Sequence, residues 1–177
     1  WVRSQYELGG AALVRALHDV ELLRAPPTFT LAHPSVTLSD AGKTASRDAA
    51  PGHLHAWTSS PRPACCGAVM HSGCHSVQFT MVRGTDLMAG VVTAGWDVAS
   101  LCLAHSVAGH CFFWAANGRC YPWGDPRGKD WGASGAEESD RIRLLLDCDA
   151  GSLSVSKNDV ALGVMEPCEL RDQGGYR

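Results

Sequence analysis

The sequence predicts an all-β domain, an antiparallel two-sheet sandwich preceded by one α-helix. Two observations carry this reading. From residue 28 onward, apolar side chains recur at every second position in short runs, and the runs are separated by Gly, Asn and Asp turns. Before that, residues 10–24 carry the chain's one clear 3.6-residue period. Several short alternating strands at such spacing indicate a sandwich or a barrel.

The elements follow in order. Leu13, Ala16, Leu17, Val20 and Leu23 fall on one stripe, while Arg15, His18, Asp19 and Arg24 point elsewhere. Pro26-Pro27 ends this helix, because proline lacks the N–H and biases its predecessor toward extended geometry. The helix either packs on the domain that follows or is the tail of an upstream helical region. Residues 1–27 are therefore read as helix and linker, and 28–177 as the sandwich. Thr30-Leu31 and Val36-Thr37-Leu38 read as strands, with a turn at Ser39-Asp40-Ala41-Gly42-Lys43. Residues 48–66, rich in Pro, Ser, Ala and His, read as a long loop.

Val77, Phe79 and Met81 alternate with Ser76, Gln78 and Thr80, the pattern of a half-buried antiparallel strand. Leu87 to Thr93 is apolar nearly throughout, which predicts a central strand covered on both faces. Cys111-Phe112-Phe113-Trp114 is a further strand, turning at Asn117-Gly118 into Arg119-Cys120-Tyr121. In 140–165, Ile142, Leu144 and Leu146 alternate along one strand, and Leu153 and Val155 along the next, between Ser152, Ser154 and Ser156. Lys157-Asn158-Asp159 turns into a third strand, Val160-Ala161-Leu162-Gly163-Val164.

Composition narrows the function. A chain of 177 residues fits one domain with some additional sequence, or at most two small ones. Its net charge of −3, with no run of Lys or Arg, disfavours nucleic acid or an anionic membrane as partner. No apolar stretch approaches the roughly 20 residues that span a bilayer. Eight cysteines allow a disulfide framework, which would be extracellular, or buried thiols in a reducing compartment. Cys102, Cys111 and Cys148 sit among apolar residues, and a domain this large needs no staple, so free thiols and an intracellular, cytoplasmic setting are expected.

The 140–163 stretch resembles the closing half of a SPRY domain. It carries Asp140-Arg141-Ile142, Leu145-Leu146-Asp147, Asp149, Gly151, Leu153-Ser154, Lys157-Asn158 and Leu162-Gly163 at that family's spacing. Gly73-Cys74-His75-Ser76-Val77-Gln78-Phe79 and Ala89-Gly90-Val91-Val92 are similar to two of its earlier strands. Phe29 to Asp40 is similar to the PRY extension found in tripartite-motif ubiquitin ligases. Ser76-Val77-Gln78 departs from the family's Tyr-Trp-Glu triplet, so no site residue carries over there. The resemblance implies a bent two-sheet sandwich of the concanavalin-like jelly-roll kind, truncated before its last strand, with an open sheet edge prone to pairing. It implies a monomeric module within a larger chain that binds a protein or peptide, with the substrate-recruiting part of a ubiquitin ligase as the more specific reading.

Catalytic and metal motifs are weak. Gly124 to Asp130 has too few residues between its glycines for a phosphate loop and lacks the Ser or Thr after Lys129. Asp147 to Gly151 fails the calcium-loop pattern at its fifth position. Cys65, Cys66, His71, Cys74 and His75 are the best zinc candidates, but the paired Cys-x₂₋₄-Cys spacing is absent. No Gly-x-Ser-x-Gly turn presents a nucleophile. No cofactor, metal or catalysis is expected; the alternatives are an extracellular lectin-like or metal-stabilised sandwich and a thiol-dependent enzyme. The tryptophans point to partner binding, since Trp joins a large apolar face to one polar handle. The expected contact residues are Trp57, Trp96, Trp123, Asp125, Arg127 and Trp131. Trp96 and Trp114 can equally cap the core, while Trp123 and Trp131 are the better candidates for exposure.

Overall fold

The computed structural model describes residues 27–47, 63–84, 87–99, 110–122, 127–165 and 175–176. The expected helix at 10–24 and most of the 48–66 loop lie outside these residues, as do Trp57, Trp123 and Asp125. The described chain holds twelve strands: β1 Phe29–Ala32, β2 Thr37–Ser39, β3 Thr44–Ser46, β4 Ala64–Cys66, β5 Cys74–Thr80, β6 Met88–Val91, β7 Cys111–Trp114, β8 Arg119–Tyr121, β9 Lys129–Asp130, β10 Arg141–Asp147, β11 Ser152–Lys157 and β12 Val160–Met165. Every pairing among them is antiparallel.

Two four-stranded sheets make the sandwich, ordered β12-β11-β10-β5 and β6-β7-β8-β9. The period of two explains why they face each other. On β10 the inward residues Ile142, Leu144 and Leu146 are 0, 1 and 2% exposed, while Arg141, Arg143 and Leu145 between them are exposed. The register carries this alternation across the sheet, with Leu144 opposite Val155 on one side and Val77 on the other. From the second sheet, Ala89, Val91, Cys111, Phe113 and Cys120 meet them in one continuous core. Side chains from both sheets fill that space, which is what a sandwich requires.

Tight turns close the hairpins. Asn158 and Asp159 have φ of 50° and 67°, the paired left-handed geometry of a two-residue hairpin turn between β11 and β12. The 39–43 turn forms as expected and joins β2 to β3. β1 stands apart from both main sheets and pairs with β4, so residues 64–66, expected in the long loop, form a strand. Phe29 stacks on Phe79 at 6.0 Å and ties β1 to β5.

Leu87 to Thr93 departs from expectation in one respect. Both faces of β6 are covered, Ala89 and Val91 by the main core and Met88 by a second cluster. The strand is nevertheless an outer one, paired within its sheet only with β7 among the described residues. Apolar content reports coverage of the faces and is silent on which strands lie alongside. Just past β6, Thr93 forms an isolated bridge with Tyr176, which also bridges Met70. The Met70 and Tyr176 amides exchange hydrogen bonds of 2.7 and 2.8 Å, so residues 175–176 are built into the fold.

Candidate functional site

The outer face of the β6-β7-β8-β9 sheet carries a second apolar cluster, distinct from the sandwich core. On β7, alternation sends Cys111 and Phe113 inward and Phe112 and Trp114 outward. The register then lines up two outward rows. One runs Met88, Trp114, Arg119, Asp130, and the other Gly90, Phe112, Tyr121. Val92, Phe112 and Tyr121 are buried in this cluster, and Cys65, Met88, Trp96 and Trp114 pack against it half-buried. Trp114 and Tyr121 sit 5.9 Å apart at a 56° tilt, and His110 stacks on Phe112 at 5.3 Å.

Polar groups border the aromatics. Arg119 Nη2 donates to the Gly128 carbonyl at 3.1 Å, and Asn117 Oδ1 accepts from the Arg119 amide at 3.0 Å. Gly128 presses against Tyr121, where a Cβ would lie 2.8 Å from the ring, so any side chain there would displace it. Among the described residues, Trp96 Nε1 and Arg119 Nε are buried with no acceptor. Enclosed donors of this kind each cost about 1–3 kcal/mol.

The residues singled out in the sequence divide between two places. Trp96 joins the aromatic cluster, and Arg127 is exposed in the turn leading to β9. Trp131 lies elsewhere, packed half-buried against the main core, with its indole across Gly163 of β12. Trp131 stands outside any strand, as expected, but its expected exposure is corrected: it is half-buried. β9 pairs Lys129 and Asp130 with β8, and Trp131, the next residue, reaches Gly163 of the other sheet. Sequence reading passed over Phe112, Trp114 and Tyr121 as site residues. The signal was present: an unbroken Cys-Phe-Phe-Trp run in a strand puts large apolar groups on both faces.

The cysteines show no activated thiol among those with a resolved shift. Burial pushes the Cys66 and Cys120 thiols up, and Cys148 is pushed up to about 11 by burial and then by the Asp149 and Asp147 carboxylates. These three are free thiols. The zinc candidates are scattered: Cys65 and Cys66 are on β4 and His75 on β5, where His75 Nε2 lies 2.7 Å from the Ser72 carbonyl. Among the described residues no group of three or more His, Cys, Asp or Glu is placed to hold a metal ion. No described helix is long and apolar enough to cross a membrane.

This architecture has a solved counterpart in the crystal structure of the SPRY domain of human HERC1. The two align with a TM-score of 0.52 at 18% identity, covering 64% of this chain and 69% of that one. The fold is SPRY-like. No family model and no curated protein matches the chain. In this SPRY-like frame, the motif residues Asp140, Arg141, Lys157 and Asn158 are structural. They bind one another and the 134–137 segment, which itself packs on the turn between β7 and β8.

Proposed function

We propose that this domain is a protein-recognition module that seats a segment of a partner protein over the aromatic outer face of the second sheet and the loops beside it. The observation that carries the reading is the pair of half-buried tryptophans, Trp96 and Trp114, packed on the buried Phe112 and Tyr121 on the face turned away from the core. Aromatic residues of this kind supply most of the energy at binding hot spots. Arg127 and, from the adjoining sequence, Trp123 and Asp125 are proposed to orient that segment, with Trp57 as a further contact and Trp131 contributing at the opposite end of β9. The SPRY-like fold supports such a role by analogy.

The reading is of a binding domain without catalysis or cofactor. The raised Cys66, Cys120 and Cys148 thiols support it, because a nucleophilic cysteine needs a lowered pKa. Free thiols at these three positions also favour an intracellular, reducing setting. The finer proposal is that the module recruits substrates to a ubiquitin ligase, supported by the resemblance of Phe29 to Asp40 to the PRY extension.

The test is affinity capture with the full chain, followed by identification of what co-purifies. Trp123→Ala is expected to weaken capture by about 2 kcal/mol or more while the melting temperature holds. A melting temperature that falls by many degrees would make Trp123 a core residue. Unchanged capture would remove it from the site. Ubiquitylation of the captured protein, lost with Trp123→Ala, checks the finer proposal.

A further inference from the structure

Lys157 closes an inward-facing row. Along β11, Leu153 and Val155 are buried in the core, and Lys157 is the next residue on that face, opposite Ile142 of β10. Its side chain is only 17% exposed. A largely enclosed ammonium is costly unless it finds acceptors. Nζ finds them past the end of the row, in the Ser134 hydroxyl at 2.7 Å, the Gly135 carbonyl at 2.9 Å and the Ser134 carbonyl at 3.3 Å. Asp140 Oδ2 lies 3.8 Å away.

The segment that Lys157 holds rests on the other sheet. Ala136 is 3% exposed, and its amide donates to the Ala115 carbonyl at 2.6 Å. Gly135 lies so near the turn after β7 that a Cβ on it would stand 2.6 Å from the Ala116 carbonyl oxygen and 2.8 Å from that of Ala115. From the turn's side, a Cβ on Gly118 would meet the Ala133 carbonyl. Backbone thus lies on backbone between 133–136 and 115–118, with no room for a side chain at either glycine.

That turn holds one end of the aromatic face. The Gly118 amide donates to the Trp114 carbonyl at 3.0 Å, and Asn117 Oδ1 accepts from the Arg119 amide. Trp114 and Arg119 are the closing register pair of the β7–β8 hairpin, so a shift of the turn moves them directly. Trp114 in turn packs on Tyr121 at 5.9 Å, and Arg119 binds the Gly128 carbonyl. Hydrogen bonds and close backbone contacts therefore run without a gap from Lys157 on the first sheet to Trp114 on the second.

We propose that Lys157 is a positioning residue for partner binding: through Ser134 and Gly135 it holds the 133–136 segment against the β7–β8 turn and so sets Trp114 and Arg119 on the aromatic face. The role rests on that face being the partner site. Asp140, Lys157 and Asn158 then serve recognition as well as stability.

The test compares Lys157→Met, which keeps an apolar stem and loses the charge, with Lys157→Arg. In the full chain alone, amide hydrogen exchange at Gly118 and Arg119 is expected to quicken at least about tenfold in Lys157→Met and to return within about threefold of wild type in Lys157→Arg. The eluate captured by the wild-type full chain is then returned to each immobilised variant. Retention is expected to fall at least about fivefold in Lys157→Met, and that substitution should add no further loss once Trp114→Ala is present. If Lys157→Met does not fold, Ser134→Ala removes one of its bonds and is expected to quicken the same amides about threefold. Unchanged exchange at Gly118 and Arg119, or equal quickening along the β5–β10 ladder, overturns the proposal. So does an additive loss of retention in the double variant. Retention that falls with Trp114→Ala but not with Lys157→Met overturns it too and leaves the aromatic face standing. Retention indifferent to Trp114→Ala overturns the aromatic face as the partner site, and this role with it.

Discussion

Asn158 donates its side-chain amide to Asp140 Oδ1 over 2.7 Å, while its own Oδ1 accepts from the Arg141 amide at 2.9 Å. One side chain in the β11–β12 turn thus fastens the entry to β10. Asp140 in turn accepts from the Glu137 amide at 2.8 Å, and Lys157 Nζ reaches the Ser134 hydroxyl and the Gly135 carbonyl at 2.7 and 2.9 Å. The motif is a clamp that holds the 134–140 segment against the hairpin.

Removing the clamp should be measurable without touching the core. Asn158→Ala loses both side-chain bonds and puts alanine, which tolerates the left-handed region less well than asparagine, at φ of 50°. The expected loss is about 1–3 kcal/mol by urea denaturation. Asn158→Gly keeps the turn conformation, so it should cost less. Equal losses would mean the bonds, and not the backbone, account for the whole effect.

Acid should weaken the same clamp. The Glu137 amide, then the Asn158 amide and the Lys157 charge, hold the Asp140 carboxyl below its ordinary value. A carboxyl depressed in the folded state contributes stability above its unfolded pKa, near about 3.9, and the contribution disappears as pH falls through the lower folded value. Asp140→Asn should therefore flatten the acid limb of the stability profile below about pH 4. Parallel wild-type and variant limbs would show that Asp140 does not take part.

Neighbours on β10 should behave oppositely. Leu146 is 2% exposed in the core, and Leu145 beside it is 44% exposed on the outer face. Leu146→Ala is expected to cost about 2–5 kcal/mol. Leu145→Ala, like Ser154→Ala across from it, should cost under about 1 kcal/mol. Denaturant midpoints for the three variants check the register directly.

Cys148 should be a slow thiol. With its pKa pushed up to about 11, it exposes little thiolate at neutral pH. Iodoacetamide should label the exposed Cys74 well before Cys148 in the native protein. The sign of the linkage follows: an acid whose folded pKa is raised loses stability as pH climbs from the unfolded value, near about 8.5, toward the folded one. Cys148→Ala should remove that part of the alkaline decline.

Much of the fold was legible in the sequence because strand alternation is local. Residues 140–165 fixed three strands, two turns and the inward set Ile142, Leu144, Leu146, Leu153 and Val155, since a period of two leaves one face for the core. Which strands lie side by side is decided by pairing over long sequence separation. Only the tertiary structure therefore showed that β5 pairs with β10, that β4 pairs with β1 and that β6 is, among the described residues, an outer strand. The site divides in the same way. A Trp in a Gly- and Asp-rich stretch suggests exposure, yet Trp131 is drawn onto Gly163, a residue 32 positions away that leaves room for an indole. Phe112 and Trp114 were visible as apolar residues. Their place on an outer face came only from β6 and β8 flanking β7 and the first sheet filling its inner side.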